Sequence, residues 1–331
     1  MATLITGAAG YLGSHTLVEL LSLDRDVVAL DDFSRSSADQ LKKVKLITGK
    51  DFEFVQCSLL NVEELKNLFK RRKIHDVIHF AGLKSVTEST IDPLLYYNVN
   101  VTGTINLLDC MKAFGVNSII FSSSCTVYGD HNSAPYFEEM TLSPVSPYGN
   151  SKFMCEAIIT DWVNMMPKLN SATSLRYFNP IGAHHTGLLG EQHNKYSNNI
   201  MPHLLRAAKE NKVIKVFGDD YDTRDGTGER DYIHVIDLAK AHIAASEKNF
   251  SGHNIYNIGT GNSTTVLELI DAFETVTGVK VKRQITDRRP GDVTKAYASV
   301  NKAEQNLKWQ AKYTLNQMLQ HAWKWELRND K

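Results

Sequence analysis

The sequence predicts an α/β fold, a Rossmann-type doubly wound parallel sheet with a smaller α/β C-terminal lobe for substrate. Three observations carry this expectation. An apolar run near the N-terminus breaks into a glycine-rich turn and then a helical pattern. β-Branched apolar runs alternate with amphipathic stretches through the first half. That strict alternation weakens after Pro180. Strands alternating with helices at this interval read as βαβ units, which build a parallel sheet covered on both faces.

In chain order, Thr3-Leu4-Ile5-Thr6 is the first strand, and it breaks at Gly7-Ala8-Ala9-Gly10-Tyr11-Leu12-Gly13, with helical periodicity over 15–23. In that context Gly7 permits a tight turn, Gly10 lets the backbone approach a pyrophosphate, and Gly13 lets the helix pack close to the sheet. The phosphates would sit at the helix N-terminus, among unpaired N–H groups and the positive end of the dipole. A second strand, 26–30, ends at Asp31-Asp32-Phe33-Ser34. An acid about twenty positions beyond the glycines suits a ribose 2′-hydroxyl and repels a 2′-phosphate, favouring NAD over NADP, with Arg35 as the opposing feature. Strands at 52–56, 76–80 and 118–122 follow, separated by helical stretches at 62–72 and 93–114. Ligands bind beyond the carboxyl ends of such strands. The rim therefore consists of 7–12, 31–34, Cys57-Ser58-Leu59, Ala81-Gly82-Leu83-Lys84 and 122–126.

Just past this rim, Tyr148 and Lys152 stand four residues apart at the head of a helical stretch, which places their β-carbons roughly 5–6 Å apart on one face. A phenol has an ordinary pKa of about 10, and a nearby ammonium stabilises the phenolate needed by a base working on a sugar or alcohol hydroxyl. By itself this spacing also describes a solvated helix face.

Composition narrows the class. The 331 residues are 42% hydrophobic and 22% charged, ordinary for a globular chain. Lys plus Arg equals Asp plus Glu at 37 each, so no net field recruits nucleic acid or an anionic membrane. Cys57, Cys110, Cys125 and Cys155 form no Cys-x-x-Cys pair and read as thiols in a reducing compartment. No apolar run approaches the ~20 residues of a membrane helix, and the start has no basic n-region, so the expected location is cytoplasmic.

The motifs that follow the rim resemble the extended short-chain dehydrogenase/reductase family, and within it the UDP-glucose (UDP-galactose) 4-epimerase branch. The matching pieces run nearly end to end: Thr6 to His15, His79-Phe80-Ala81-Gly82-Leu83-Lys84, Ser122 to Gly129, Tyr148-x-x-x-Lys152, Arg176-Tyr177-Phe178-Asn179-Pro180, Asn198 to Pro202, Asp225 to Val235, and Arg288-Arg289-Pro290-Gly291-Asp292. The glycine loop and Tyr-x-x-x-Lys mark the superfamily. Phe-Ala-Gly-Leu-Lys, Arg-Tyr-Phe-Asn-Pro and Arg-Asp-Tyr-Ile-His-Val are much more specific.

The resemblance implies that Gly7, Gly10, Tyr11, Leu12, Gly13, Asp31, Asp32, Phe33, Ser34, Ser58, Leu59, Phe80, Ala81, Gly82, Lys84, Ser122, Tyr177 and Phe178 line NAD together with Tyr148 and Lys152. It makes Tyr148 the base on the sugar 4-hydroxyl, with Lys152 holding the nicotinamide ribose and Ser124 bonded to the same sugar oxygen. Lys84, Cys125 and Thr126 lie beside the sugar. Asn179, Asn199, Ile200 and Val216 contact phosphate and uridine, Phe217 the uracil region, Arg230 and Arg289 the diphosphate, and Asp292 the uridine ribose. A guanidinium offers phosphate a fixed fork, whereas Arg288 reads as a surface ion pair. Ala296 occupies the position whose size is taken to admit or exclude an N-acetyl group at C2, so N-acetylhexosamines are expected alongside plain hexoses. A homodimer is expected from the family's pairing of the helices near 94–111 and 153–166. Ser58 and Val99 depart from the pattern, standing where the family carries an adenine-contacting aspartate and an NAD-contacting asparagine.

In the second half, strands at 213–218 and 279–285 and helices at 266–277 and 315–328 suggest the smaller lobe, while 236–247 and 254–258 return to the main sheet. The expected division is 1–179 with 231–260 for NAD, and 180–230 with 261–331 for the UDP-sugar. His184, His185 and His193 lack converging acidic or cysteine ligands, and His75 and His79 fall in a strand pattern, so no metal is expected. Two alternatives remain. A nucleotide-sugar 4,6-dehydratase needs carboxylates where this chain has Cys125 and Thr126, which disfavours it on chemistry. A non-catalytic NAD-binding scaffold or sensor is opposed by intact Ser124, Tyr148 and Lys152.

Overall fold

The computed structural model describes residues 1–192, 199–248, 250–289 and 291–329. The chain divides into two compact units: 1–127, 144–176 and 239–256 form the first, and 128–143, 177–238 and 257–331 the second.

The first unit opens with β1 (Ala2–Thr6), α1 (Tyr11–Ser22), β2 (Val27–Asp31), α2 (Ala38–Thr48), β3 (Glu53–Gln56), α3 (Val62–Arg71) and β4 (Ile74–His79). The alternation continues through α4 (Val86–Ile91), α5 (Pro93–Tyr96), a π-helical segment (Tyr97–Thr102), α6 (Gly103–Ala113), β5 (Ser118–Ser124), a 3₁₀ turn (Cys125–Tyr128), α7 (Pro147–Met165) and β6 (Ser171–Tyr177). Every residue of β1 and β2 is buried, as strands covered on both faces require. The parallel pairs β3–β2–β1–β4–β5 sit in a seven-stranded sheet of order β11-β6-β5-β4-β1-β2-β3, with β11 at Gly252–Ile258. The order reverses beside β1, and a crevice opens past the ends of β1 and β4 at such a point. Helix starts follow local chemistry: Asn61 caps α3, with Glu63 and Glu64 in its first turn and Lys70 and Arg71 in its last, and Ser146 caps α7 ahead of Pro147. The helix expected over 93–114 is one run broken by the π-helical turn, an arrangement frequent at functional sites.

The second unit contains β7 (Asn179–Ile181), α8 (Ile200–Lys209), β8 (Val213–Phe217), β9 (Glu229–Arg230) and β10 (Tyr232–His234), then α9 (Val235–Ser246), whose last turns belong to the first unit. It is completed by β12 (Thr264–Thr265), α10 (Val266–Thr277), β13 (Lys282–Thr286), β14 (Lys295–Ala296), α11 (Asn301–Leu307) and α12 (Leu315–Arg328). Parallel β8–β13 packs with α8, α10 and α12 around Leu204, Leu269, Phe273 and Leu319. Thr265 and Glu268 form a capping box on α10, as do Thr314 and Gln317 on α12. The boundaries differ from the sequence expectation at 128–143, 177–179, 231–238 and 257–260, all of which cluster with the second unit. Residues 128–143 cluster with the second unit because Tyr136 exchanges backbone hydrogen bonds with Tyr297 and Ser299, and the Tyr128 hydroxyl donates to Asn257. Residues 231–238 do so because β10 pairs with β7.

Candidate active site

The glycine turn of the first unit is built for close approach. Gly7 has φ +70°, and a β-carbon there would stand 2.7 Å from the Ala81 nitrogen, so only glycine lets the β1 turn lie against the chain leaving β4. Gly10 starts α1 with no side-chain cap and no acid in its first turn. The N–H groups at this helix start, among them those of Tyr11 and Leu12, therefore suit a pyrophosphate. Asp31 closes one side: Oδ2 accepts from Ala9 N at 2.9 Å, and Oδ1 accepts from Phe33 N at 2.9 Å and Ser36 Oγ at 2.7 Å. A carboxylate has about four acceptor positions, which leaves room for a ribose hydroxyl. Arg35 donates to Glu88 at 2.6 Å, an engagement that ties it away from a 2′-phosphate. Asp32 accepts from Ser34 N at 2.8 Å, and Phe33 stacks on Phe54 at 5.0 Å. Ser58 accepts from Leu60 N at 3.3 Å, while Leu59 is buried with its carbonyl held by Asn106. Phe80 packs on His242 at 4.5 Å, and the Lys84 ammonium lies 5.5 Å over the Tyr11 ring, linking two expected cofactor residues.

The catalytic candidates converge where β5 meets α7. Tyr148 is 8% exposed and packs edge-on to Tyr96 at 6.4 Å. Burial pushes its phenol up to about 12, opposed by a hydrogen bond with Ser124 and reinforced by the neighbouring Cys125. Ser124 Oγ also accepts from Thr126 N at 3.2 Å and Thr126 Oγ1 at 3.0 Å. Lys152 is 5% exposed; its ammonium donates to the Ser122 carbonyl at 2.8 Å and lies 4.8 Å over Phe121. Burial pulls its pKa down to about 8, partly offset by Cys155 and Glu156. The geometry thus differs from the spacing argument. The ammonium is engaged with the Ser122 carbonyl rather than with the phenol.

Sequence reasoning missed Asn100. It sits in the π-helical turn, where Oδ1 accepts from Leu83 N at 2.7 Å and Nδ2 donates to Leu83 O at 3.0 Å and to Ser151 Oγ at 2.9 Å. Ser151 Oγ in turn donates to the Tyr148 carbonyl at 2.7 Å. The loop 81–84 is thereby fixed to α7, and a β-carbon on Gly82 would stand 3.8 Å from the Lys152 ammonium. Val99, beside Asn100, packs against Leu83, Tyr96 and Tyr148.

In the second unit, Arg230, Arg289 and Asp292 gather. Asp292 accepts from Arg289 Nε at 2.9 Å and from Arg230 Nη2 at 3.5 Å, and Arg289 lies 4.6 Å over Phe217. Two guanidiniums beside an aromatic ring suit a nucleoside diphosphate. Tyr232, which the sequence did not single out, is buried beside them; burial pushes its phenol up to about 12 while Arg230 and Arg289 pull it down. Asn199 starts α8 without a side-chain cap, and Ile200 packs partly on the core. Asn179 Nδ2 donates to the Asp231 carbonyl at 3.2 Å. Ala296 is buried opposite Arg230 in the β9–β14 pair, and Tyr177 and Phe178 are buried. Val216 has its side chain 1% exposed inside the hydrophobic core, which leaves its backbone beside Phe217 as the part able to meet a ligand. Arg288 forms the ion pair expected of it, with Asp220 at 2.6 Å. Among the described residues no group of three His, Cys, Asp or Glu is arranged to hold a metal. His184 and His185 have their rings 4.2 Å apart, and His193 lies outside the described residues.

Comparison with known proteins gives the family. The family model described as NAD dependent epimerase/dehydratase family matches residues 3–259. A UDP-glucose 4-epimerase of Bacillus subtilis (strain 168) is 47% identical over 99% of this chain and 98% of its own. The crystal structure of UDP-glucose 4-epimerase from Bifidobacterium longum in complex with NAD+ and UDP is 42% identical, covers 99% of each chain and superposes with a TM-score of 0.94. The UDP-Glc/GlcNAc 4-epimerase of Campylobacter jejuni is 34% identical, with 99% of each chain covered and a TM-score of 0.85. With its glycine turn, Asp31 and the Ser124–Tyr148–Lys152 cluster in place, the chain belongs to the NAD dependent epimerase/dehydratase family.

Proposed function

We propose that the protein is an NAD-dependent UDP-hexose 4-epimerase that interconverts UDP-glucose and UDP-galactose through a transient 4-keto sugar. The observation that carries this reading is the convergence at the end of β5 of Ser124, the buried Tyr148 and, one turn on, the buried Lys152, whose ammonium donates to the Ser122 carbonyl. An elimination of water across C5–C6 needs a carboxyl acid–base pair there. Cys125 and Thr126 stand there instead, and neither is a carboxylate, which disfavours the dehydratase.

Bound NAD supplies the hydride acceptor and, once reduced, the donor. The residues that would hold it are the Gly7–Gly13 turn, Asp31 and the loop 81–84, with Lys152 on the nicotinamide ribose. Tyr148 as phenolate takes the proton of the sugar 4-hydroxyl and later returns it, and Ser124 holds the same oxygen. Arg230 and Arg289 grip the diphosphate, Phe217 the uracil and Asp292 the uridine ribose. A firm hold on the nucleotide leaves the sugar free to present its other face.

Ala296 leaves the C2 side open to an N-acetyl group, a range that the name of the Campylobacter jejuni relative also spans. Two copies pair through α5, α6 and α7, where Leu94, Ile105, Phe153 and Met154 are exposed. The four cysteines, none of them in a disulfide, suit the cytoplasm, and among the described residues no helix is long and apolar enough to cross a membrane. An activity screen over UDP-glucose, UDP-galactose and their N-acetyl forms, with light scattering for mass, tests these points. Comparable kcat/KM for UDP-N-acetylglucosamine and UDP-glucose supports the broad range, and no turnover of the acetylated sugar removes it. A protein that interconverts no UDP-sugar with NAD added is a binding protein instead.

A further inference from the structure

We infer that Glu156 and Arg176 are a positioning pair for the catalytic helix: a buried ion pair that, with Ser123, locks α7 in register on β5 and sets the charge around Lys152. The inference rests on the epimerase reading of Tyr148 and Lys152 and deepens it.

The motif Ser122-Ser123-Ser124 enters the proposed chemistry only through its first and third members. The structure gives the middle one a use. Tyr148, Lys152 and Glu156 recur every fourth residue on α7, so they stand on successive turns of one side. Each turn faces one residue of the strand: Ser124 lies beside the Tyr148 phenol, the Ser122 carbonyl accepts from Lys152, and Ser123 Oγ donates to Glu156 Oε1. Glu156 is then clamped from β6. Arg176 Nε donates to Oε1 at 2.9 Å and Nη2 to Oε2 at 2.6 Å, a bidentate fork between side chains 2% and 5% exposed.

Apolar side chains of similar volume would hold a helix to a strand at least as well as a buried ion pair. What the pair adds is direction and charge. Lys152 faces Cys155 and Glu156 on its own helix, the Phe121 ring and Ser122 carbonyl on β5, and buried His79 on β4. Glu156 faces Arg176 on β6, Ser123 on β5 and His253 on β11. Glu156 therefore helps retain the Lys152 proton against burial. This matters because the productive form is phenolate beside ammonium, while burial makes the lysine, at about 8, release its proton before the phenol, at about 12. The fraction that holds phenolate beside ammonium at high pH follows the ratio of the two proton affinities. A weaker hold on the Lys152 proton lowers the kcat plateau and moves the rising limb of the pH profile downward by the same factor.

The test is Glu156→Gln on the NAD-bound enzyme with UDP-galactose. The expected result is kcat lower by about 10²-fold, KM nearly unchanged, NAD retained and the limb displaced to lower pH. A kcat within about twofold of wild type, or a loss of kcat with an unmoved limb, overturns the inference. If that variant does not accumulate folded, E156Q/R176Q removes both charges together, and wild-type kcat and limb in the double variant likewise overturn it. Wild-type enzyme in the same assay separates the two readings, since failure of the wild type to convert UDP-galactose refutes the epimerase assignment and not the positioning role.

Discussion

Replacing Gly13 with alanine probes the cofactor cradle at its tightest point. A β-carbon on Gly13 would stand 2.1 Å from the Gly7 oxygen, 2.8 Å from the Gly7 carbonyl carbon and 2.9 Å from the Ala8 Cα. Comfortable carbon contacts lie near ~3.5–4.0 Å, so the start of α1 must retreat by roughly 1 Å. Every obstacle is backbone, and no side chain can rotate away. Overpacking of this kind costs about 1–3 kcal/mol, and donors misplaced by about 1 Å forfeit on the order of 10²-fold in function. The G13A enzyme should therefore bind NAD about 10²-fold more weakly by calorimetry and melt earlier. Gly49 is the control. Its φ is +65° with nothing within 4 Å, so G49A carries backbone strain of about 1–2 kcal/mol and leaves NAD affinity untouched. A G13A protein that retains wild-type NAD affinity would show that the glycine turn is not the pyrophosphate cradle.

Two further outcomes follow from buried groups. His79 is hydrogen-bonded to Thr6 and Thr104, and burial pulls its pKa from 6.5 to about 3. The unfolded chain thus binds the proton first, so stability present above pH 6.5 is lost as pH falls toward 3, by roughly 5 kcal/mol in all at 1.36 kcal/mol per unit. Urea melts between neutral and acid pH read this, His79→Asn should flatten the curve, and a flat wild-type curve contradicts it. Tyr148→Phe should lower kcat by about 10²–10⁴-fold while leaving NAD bound, and near-normal turnover would mean that another group is the base.

The features legible in the sequence are those whose physics is local. A strand, three glycines and a helix occupy one short stretch, and Asp31 ends the next strand, so period and turn chemistry suffice to place them. Tyr148 and Lys152 are legible as one-turn neighbours, but what each side chain bonds to is not, and Lys152 is engaged with a strand residue thirty positions earlier. Asn100 escaped because a π-helical turn leaves no mark in an apolar period, and its partners Leu83 and Ser151 lie far off in sequence. Glu156 and Arg176 each read as an ordinary charged residue until β6 is laid beside α7. Val216 shows the converse. In the exposed–buried alternation of β8 it falls on the core side, and the family likeness could not show which face is wet.

Retention of the sugar's own hydrogen is the most direct measurement of the proposed chemistry. UDP-galactose deuterated at C4 is incubated with the purified NAD-bound protein in ordinary water, and the UDP-glucose formed is examined by mass spectrometry and NMR. If hydride leaves C4 for the bound cofactor and returns to the opposite face, the deuterium remains at C4 of the product with no net consumption of NAD. Product whose C4 carries solvent hydrogen would contradict a hydride shuttle and, with it, the roles given to Tyr148, Ser124 and Lys152.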